Sequence, residues 1–206
     1  MVAQVEAAAL AWLPLPRGAT SGDATTDVDG DLARASRGGD RDAFGRLVAR
    51  HERAVYGLCL RLLGQREEAR DAAQEAFVRA YELLGSYDPA LAFRPWLLRI
   101  ARNRCLDLRR RAAVRPATTS LEEAAAAADR EAVAADERLV RAEGQERLQA
   151  AIARLPDDQR EALLLFHHDQ LSYREIAVVL EAPLGTVMTW LHRARRRLRA
   201  DLGGEP

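Results

Sequence analysis

Apolar residues return at three- and four-residue steps through two stretches of the chain and lapse between them. From Phe44, the series Phe44, Leu47, Val48, His51, Val55, Leu58, Cys59 and Leu62 marks one face of an amphipathic helix. Gly64 predicts its end, because glycine readily takes the left-handed backbone that closes a helix. A second helix sets Ala72, Ala73, Ala76, Phe77, Ala80, Tyr81 and Leu84 on one face and stops near Gly85. Its other face shows Asp71, Gln74, Glu75, Arg79 and Glu82. The segment from Ser86 to Phe93 breaks the period with Asp88-Pro89, and Pro95 suits the first turn of a third helix running to about Arg111. There Leu97, Ile100, Ala101 and Leu108 point inward, while Arg99, Arg102, Asn103, Arg109 and Arg110 share the outward arc. Arg104 falls near the apolar arc, and the pattern does not account for it.

Between Arg111 and about Gln145 the chain turns alanine-rich and acidic, with Leu121, Val133, Leu139 and Val140 too sparse to nucleate a core. Alanine favours partial helix there, but the segment reads as a linker. Helical order resumes with Leu148, Ile152 and Leu155, then with Leu163 to Phe166. Ser172 and Glu175 form a capping box, with Leu171 and Ile176 at the spacing of a hydrophobic staple, so a short helix begins at Tyr173. After Glu181-Ala182-Pro183-Leu184, a further helix lines up Val187, Leu191, Ala194 and Leu198 on one stripe. The expected architecture is all-α: a disordered tail over 1–30, a helical domain over 31–111, a flexible acidic linker over 112–145 and a helix-turn-helix domain over 146–202.

Charge changes the picture more by its distribution than by its total. Across 206 residues the 31 basic side chains balance 31 acidic ones. All of the basic ones are arginine, which suits bidentate phosphate contact, although a GC-rich genome also produces that bias. Arginines crowd into Arg94–Arg115 and Arg193–Arg199, while acids collect at Asp23–Asp31 and between Glu122 and Glu146. Two basic surfaces on either side of an acidic connector suggest two nucleic-acid contacts on one chain. No window approaches the roughly 20 apolar residues of a membrane span, and Ala7–Leu15 lacks the basic flank of a secretory signal, so a cytoplasmic protein without membrane insertion is expected. Cys59 and Cys105 sit inside helical patterns without metal-ligand spacing and read as buried, reduced thiols. No metal site and no cofactor are expected.

Thr189, His192, Arg193 and Arg196 project opposite the stripe of the last helix, where a recognition helix meets the major groove. Arg193 suits bidentate base contact and Arg196 a phosphate; a solvated basic face on a plain helical hairpin would look the same. In Phe93-Arg94-Pro95-Trp96-Leu97-Leu98-Arg99-Ile100-Ala101-Arg102-Asn103, aromatics beside arginines can stack on unpaired bases. Equally, Phe93 and Trp96 can fill the core, and Trp96 stands at the boundary of the two faces.

With these motifs in place, Asp71-Ala72-Ala73-Gln74-Glu75-Ala76-Phe77-Val78-Arg79-Ala80-Tyr81 and the arginine-rich helix together resemble the second region of extracytoplasmic-function (ECF) sigma factors, in the sigma-70 family of bacterial RNA polymerase. Leu155-Pro156, Gln159-Arg160, Leu171-Ser172-Tyr173-Arg174-Glu175-Ile176-Ala177 and Gly185-Thr186-Val187-Met188-Thr189-Trp190-Leu191-His192-Arg193-Ala194-Arg195 resemble the fourth. The resemblance implies a transcription initiation factor with no catalytic residues. Asp71, Gln74, Glu75 and Arg79 would dock on core RNA polymerase. The loop from Tyr87 through Asp88 to Ala92 would take a base flipped from the nontemplate strand of the minus-ten element, with Trp96, Arg99 and Asn103 near the melted junction. Thr189, His192 and Arg193 would read the duplex of the minus-thirty-five element, the linker would thread the polymerase channels, and an anti-sigma factor is an expected partner. Met188 and Trp190 depart from the basic residues many relatives carry there, and Asp71-Ala72-Ala73 is less polar than usual.

Two rival readings are weaker on the residues. His167-His168-Asp169 could be drawn as a metal site, but adjacent histidines on a helix point about 100 degrees apart, and no phosphate loop or nucleophile elbow accompanies them. A conventional DNA-binding regulator, with one helix-turn-helix and a helical effector domain, explains the C-terminal half and leaves the arginine-rich helix from Arg94 to Arg111 without a purpose.

Overall fold

The structure, a computed structural model, describes residues 24–89, 91–114 and 135–203. Among the described residues the chain is built from α-helices: α1 (Ala24–Arg37), α2 (Arg41–Leu63), α3 (Arg66–Leu83), α4 (Phe93–Val114), α5 (Ala135–Ala153), α6 (Asp157–His167), α7 (Tyr173–Leu180) and α8 (Leu184–Asp201). They fall into two compact units, the first made chiefly of α1 to α4 and the second of α5 to α8.

In the first unit α2, α3 and α4 pack on one another and α1 lies against α2. Asp40 caps α2 by accepting from the Ala43 N–H at 3.0 Å, and Gly64 closes the helix at φ 77°, the left-handed turn that its position predicts. The inward face of α3 is almost all alanine: Ala69, Ala72, Ala73, Ala76 and Ala80 are buried. Side chains this small let α3 approach the larger Leu47, Leu58, Leu97 and Leu98 of its neighbours, which are themselves fully buried.

Helix α1 corrects the expectation of an unstructured stretch as far as residue 30; residues 1–23 of that tail lie outside the described residues. The helix escapes the apolar pattern because it is anchored partly by a carboxylate. Asp29, almost fully buried, accepts from Arg50 at 2.7 Å and pairs with His51 Nε2 at 2.8 Å. Burial would raise its pKa, but the hydrogen bond and charge of His51, then those of Arg50, outweigh it and hold the carboxyl below its ordinary value. Helix α5 is a second difference. It starts at Ala135 and takes the last eleven residues of the segment read as linker, α4 takes the first three, and residues 115–134 lie outside the described ones.

In the second unit the expected elements stand where the pattern puts them. Val187, Leu191, Ala194 and Leu198 of α8 are buried, and α8 packs on α6 and α5. The capping box of α7 is closed in both directions: Ser172 N–H donates to Glu175 Oε2 at 2.7 Å, and Glu175 N–H donates to Ser172 Oγ at 3.3 Å.

Candidate nucleic-acid interface

The loop between α3 and α4 is shaped by aromatic packing. After a 3-10 turn at Leu84–Ser86, Tyr87 turns into the core, where its ring stands 5.3 Å from Phe93 and 5.0 Å from Trp96, centroid to centroid. Tyr87 is only 2% exposed and Trp96 only 7%. The Tyr87 hydroxyl donates to the Leu91 carbonyl at 2.5 Å, which ties the loop across its mouth. Its pKa is pushed up to about 12, by burial first and then by the charges of Asp29 and Asp88. Tyr87 and Trp96, expected at the loop and near the melted junction, are thus turned inward. Both rings are packed against Phe93 and against each other, which leaves little of either surface open to solvent. Asp88 and Leu91 are exposed on that loop, and Arg99 and Asn103 are part-exposed on α4.

Helices α3 and α4 also enclose a shallow cleft of about 740 Å³ lined by Asp71, Gln74, Glu75 and Arg79 together with Asn103 and Arg104. The structure thus brings all four expected polymerase-binding residues onto one surface. It also explains Arg104, whose guanidinium reaches across to form an ion pair with Glu75. Arg79 pairs with Glu82 at 2.8 Å one turn along, an exposed contact of little energetic weight. Val78 and Tyr81 stand exposed beside this cleft; the periodicity treated Tyr81 as inward, and it instead rests edge-on against Phe44 with centroids 4.9 Å apart.

On α8, Thr189, His192, Arg193 and Arg196 all face solvent. The Thr189 hydroxyl donates to the Gly185 carbonyl at 2.8 Å. Met188 is exposed beside them and Trp190 is half-buried. One residue that the sequence did not single out organises this helix. The Arg195 guanidinium lies 5.1 Å from the Phe166 ring centroid and 6.0 Å from that of Tyr173, and donates to the Tyr173 hydroxyl at 3.1 Å. It fastens α8 to α6 and α7 at once. Burial, then the charges of Arg195 and His168, push the pKa of His167 down to about 4, so His167 is neutral at physiological pH.

Elsewhere, Cys59 and Cys105 are both buried and unbridged, with the Cys59 thiol pushed up by its hydrogen bond with Cys105 and by burial. No group of His, Cys, Asp and Glu able to hold a metal occurs among the described residues. No helix among them is long and apolar enough to cross a membrane.

Two helical units, one with a loop braced beside a basic helix and one with a capped helix-turn-helix, define the class of a DNA-directed helical factor. Residues 47–115 match the sigma-70 region 2 family and residues 145–198 match sigma-70 region 4. The chain is 37% identical over 174 residues to the ECF RNA polymerase sigma factor SigW of Bacillus subtilis, covering 80% of this chain and 91% of that one. A solved structure of CnrH in complex with the cytosolic domain of CnrY superposes with a TM-score of 0.61 at 30% identity, over 85% of this chain and 97% of CnrH. The sigma factor RpoE from Bartonella quintana, in complex with the anti-sigma factor NepR, shares the fold at TM-score 0.57 and 21% identity, over 79% and 98% of the two chains. The chain belongs to the ECF sigma factors of the sigma-70 family. It is accordingly a transcription initiation factor and not an enzyme.

Proposed function

We propose that this sigma factor binds core RNA polymerase and directs it to promoters whose minus-ten element is taken by the first unit and whose minus-thirty-five element is read by the second. The observation that carries the reading is the division of α8, with Val187, Leu191, Ala194 and Leu198 wholly buried and Thr189, His192, Arg193 and Arg196 wholly outward. A helix held that firmly by one face presents the other to the major groove in a fixed register. Arg193 then makes the bidentate base contact, Arg196 a phosphate contact, and Met188 leaves one position of that face without a hydrogen-bonding group.

In the first unit, Asp71, Gln74, Glu75 and Arg79 form the polymerase-docking surface, supported by their convergence on one cleft. The loop from Asp88 to Ala92 receives the unpaired base, with Arg99 and Asn103 beside it. Opening about five base-pair steps costs roughly 7 kcal/mol, and each base stacked on an aromatic ring returns about 1–3 kcal/mol. With Tyr87 and Trp96 buried, fewer such surfaces are offered, so promoter melting depends on polymerase. The segment between α4 and α5 tethers the two units. The protein works in the cytoplasm, in response to a stress signal, and an anti-sigma factor restrains it. CnrH and RpoE, each solved with a bound protein, support that last point.

The test is in vitro transcription with core enzyme on genomic fragments. New start sites that require the protein are the expected result. Start sites unchanged by its addition, or no affinity for core enzyme, would overturn the reading. A gel shift of duplex DNA by the isolated chain at nanomolar affinity would favour the conventional regulator instead.

A further inference from the structure

Two of the large side chains that α8 turns to solvent are apolar: Leu184 is 40% exposed and Met188 51%. They stand one helical turn apart, about 6 Å along the axis and about 40 degrees around it. His192 continues the row after another turn, about 40 degrees further on. Met188 therefore lies between an apolar neighbour and the outward face of Thr189, His192, Arg193 and Arg196. The packing of the unit does not call for a methionine there, because the buried stripe of Val187, Leu191, Ala194 and Leu198 is centred about 90 degrees away.

The distribution of charge along α8 indicates what these side chains meet. From Leu184 to Leu191 no residue is charged, and the arginines begin at Arg193. A recognition helix touches base edges chiefly through its N-terminal residues, so that part of α8 offers a base only apolar and hydroxyl groups. Gly185 adds to this. A Cβ there would meet no atom within 4 Å among the described residues, so nothing inside the unit requires a residue that is less favourable than alanine in a helix. The missing side chain lets the backbone come closer to the floor of a groove. The apolar group that a base-pair edge presents in the major groove is the C5-methyl of thymine. Guanine or cytosine in its place would turn polar atoms toward a thioether that donates no hydrogen bond and accepts only weakly, and would leave them unpartnered once water is displaced.

We propose that Met188, flanked by Leu184, selects thymine at one position of the minus-thirty-five element by packing on its C5-methyl group. The assignment rests on the function proposed above, in which α8 enters duplex DNA; it adds the base that the uncharged part of the helix prefers.

Holoenzyme assembled from core enzyme and the full chain, selecting from a pool of promoters randomised across the upstream element, tests the assignment. The unaltered chain should enrich thymine at one position, and Met188→Arg should exchange that preference for guanine, which a guanidinium meets at two acceptors. In the selected promoter, deoxyuridine in place of that thymine removes the methyl alone and should weaken binding about fourfold, the contribution of one buried methyl. With Met188→Ala the two promoters should bind alike; the side chain is half-exposed, so this variant leaves the buried stripe in place. Equal binding of the two promoters by the unaltered chain, or a deoxyuridine effect that survives Met188→Ala, overturns the proposal. So does a loss on Met188→Ala that is equal for every promoter, the mark of a protein contact at that side chain. Enrichment of an upstream sequence without a methyl-dependent thymine sinks this inference and spares the function proposed above, whereas no enrichment at all sinks both.

Discussion

Replacing Asp29 by alanine should unseat α1 at a cost that can be worked from its contacts. The carboxylate, almost fully buried, makes two charge-assisted hydrogen bonds, to Arg50 at 2.7 Å and to His51 at 2.8 Å. Such bonds contribute about 1.5–3 kcal/mol each. The Arg50 side chain is more than a third exposed, so solvent screens that arm and the buried His51 carries most of the effect. Removing one side of a buried pair also strands the other, and we expect Asp29→Ala to destabilise the first unit by about 3 kcal/mol. At about 4–8 °C per kcal/mol this lowers its melting temperature by roughly 12–24 °C. Differential scanning calorimetry at pH 7 measures the shift. His51→Ala should cost a similar amount and the double substitution little more than either, a coupling of about 2 kcal/mol. The sign with pH is also set. The folded carboxyl is held below its ordinary value of 3.8, so its contribution is complete above that value and is lost as pH falls through the lower folded one. The deficit of Asp29→Ala should hold steady from pH 7 to pH 5 and shrink in stronger acid. A deficit under about 1 kcal/mol at pH 7, or additive single substitutions, would refute this account of α1.

Further expectations concern the second unit. Ser172→Ala should cost about 1 kcal/mol by opening the capping box, read by urea titration with the helix content otherwise intact. Arg193→Ala should weaken promoter binding by about 1–3 kcal/mol and relax preference at one base pair, while Arg196→Ala should weaken all sequences alike and reduce the salt slope by about one; identical effects of the two would contradict the division of roles. Burial and Arg195 hold His167 near 4, so the folded unit resists a proton that the unfolded chain accepts at about 6.5. Stability is therefore present at neutral pH and declines as pH falls from 6.5 toward 4. Arg195→Ala should raise the His167 titration midpoint, seen by NMR, and flatten that decline.

How much of this was legible in the sequence depended on whether apolar side chains did the packing. Where they did, as along Val187, Leu191, Ala194 and Leu198, the period located the helix and its outward face together. The capping box of α7 was equally plain, because Ser172 and Glu175 are bonded to neighbours in the chain. Helix α1 was not legible, since its inward anchors include Asp29 and Ser36 beside Leu32 and Ala33, and an acidic stretch signals solvent until its partners are known. Arg104 looked misplaced for the same reason; its partner, Glu75, lies on another helix. Phe93 and Trp96 were ambiguous because an aromatic ring serves a core and a base equally well, and their burial beside Tyr87 comes from residues that meet only in three dimensions. Arg195 gave no signal, as the rings it stacks on come from two other helices.

The hydroxyl of Tyr87, fastened to the carbonyl of Leu91, has a thermodynamic meaning for whatever occupies the loop between them. A backbone already cinched into one shape has surrendered its conformational freedom during folding, so little further ordering is charged against the incoming partner. Loosening that knot with Tyr87→Phe keeps the ring and removes only the clasp, and the penalty would surface as weaker capture of the unpaired base and not as a less stable helical unit.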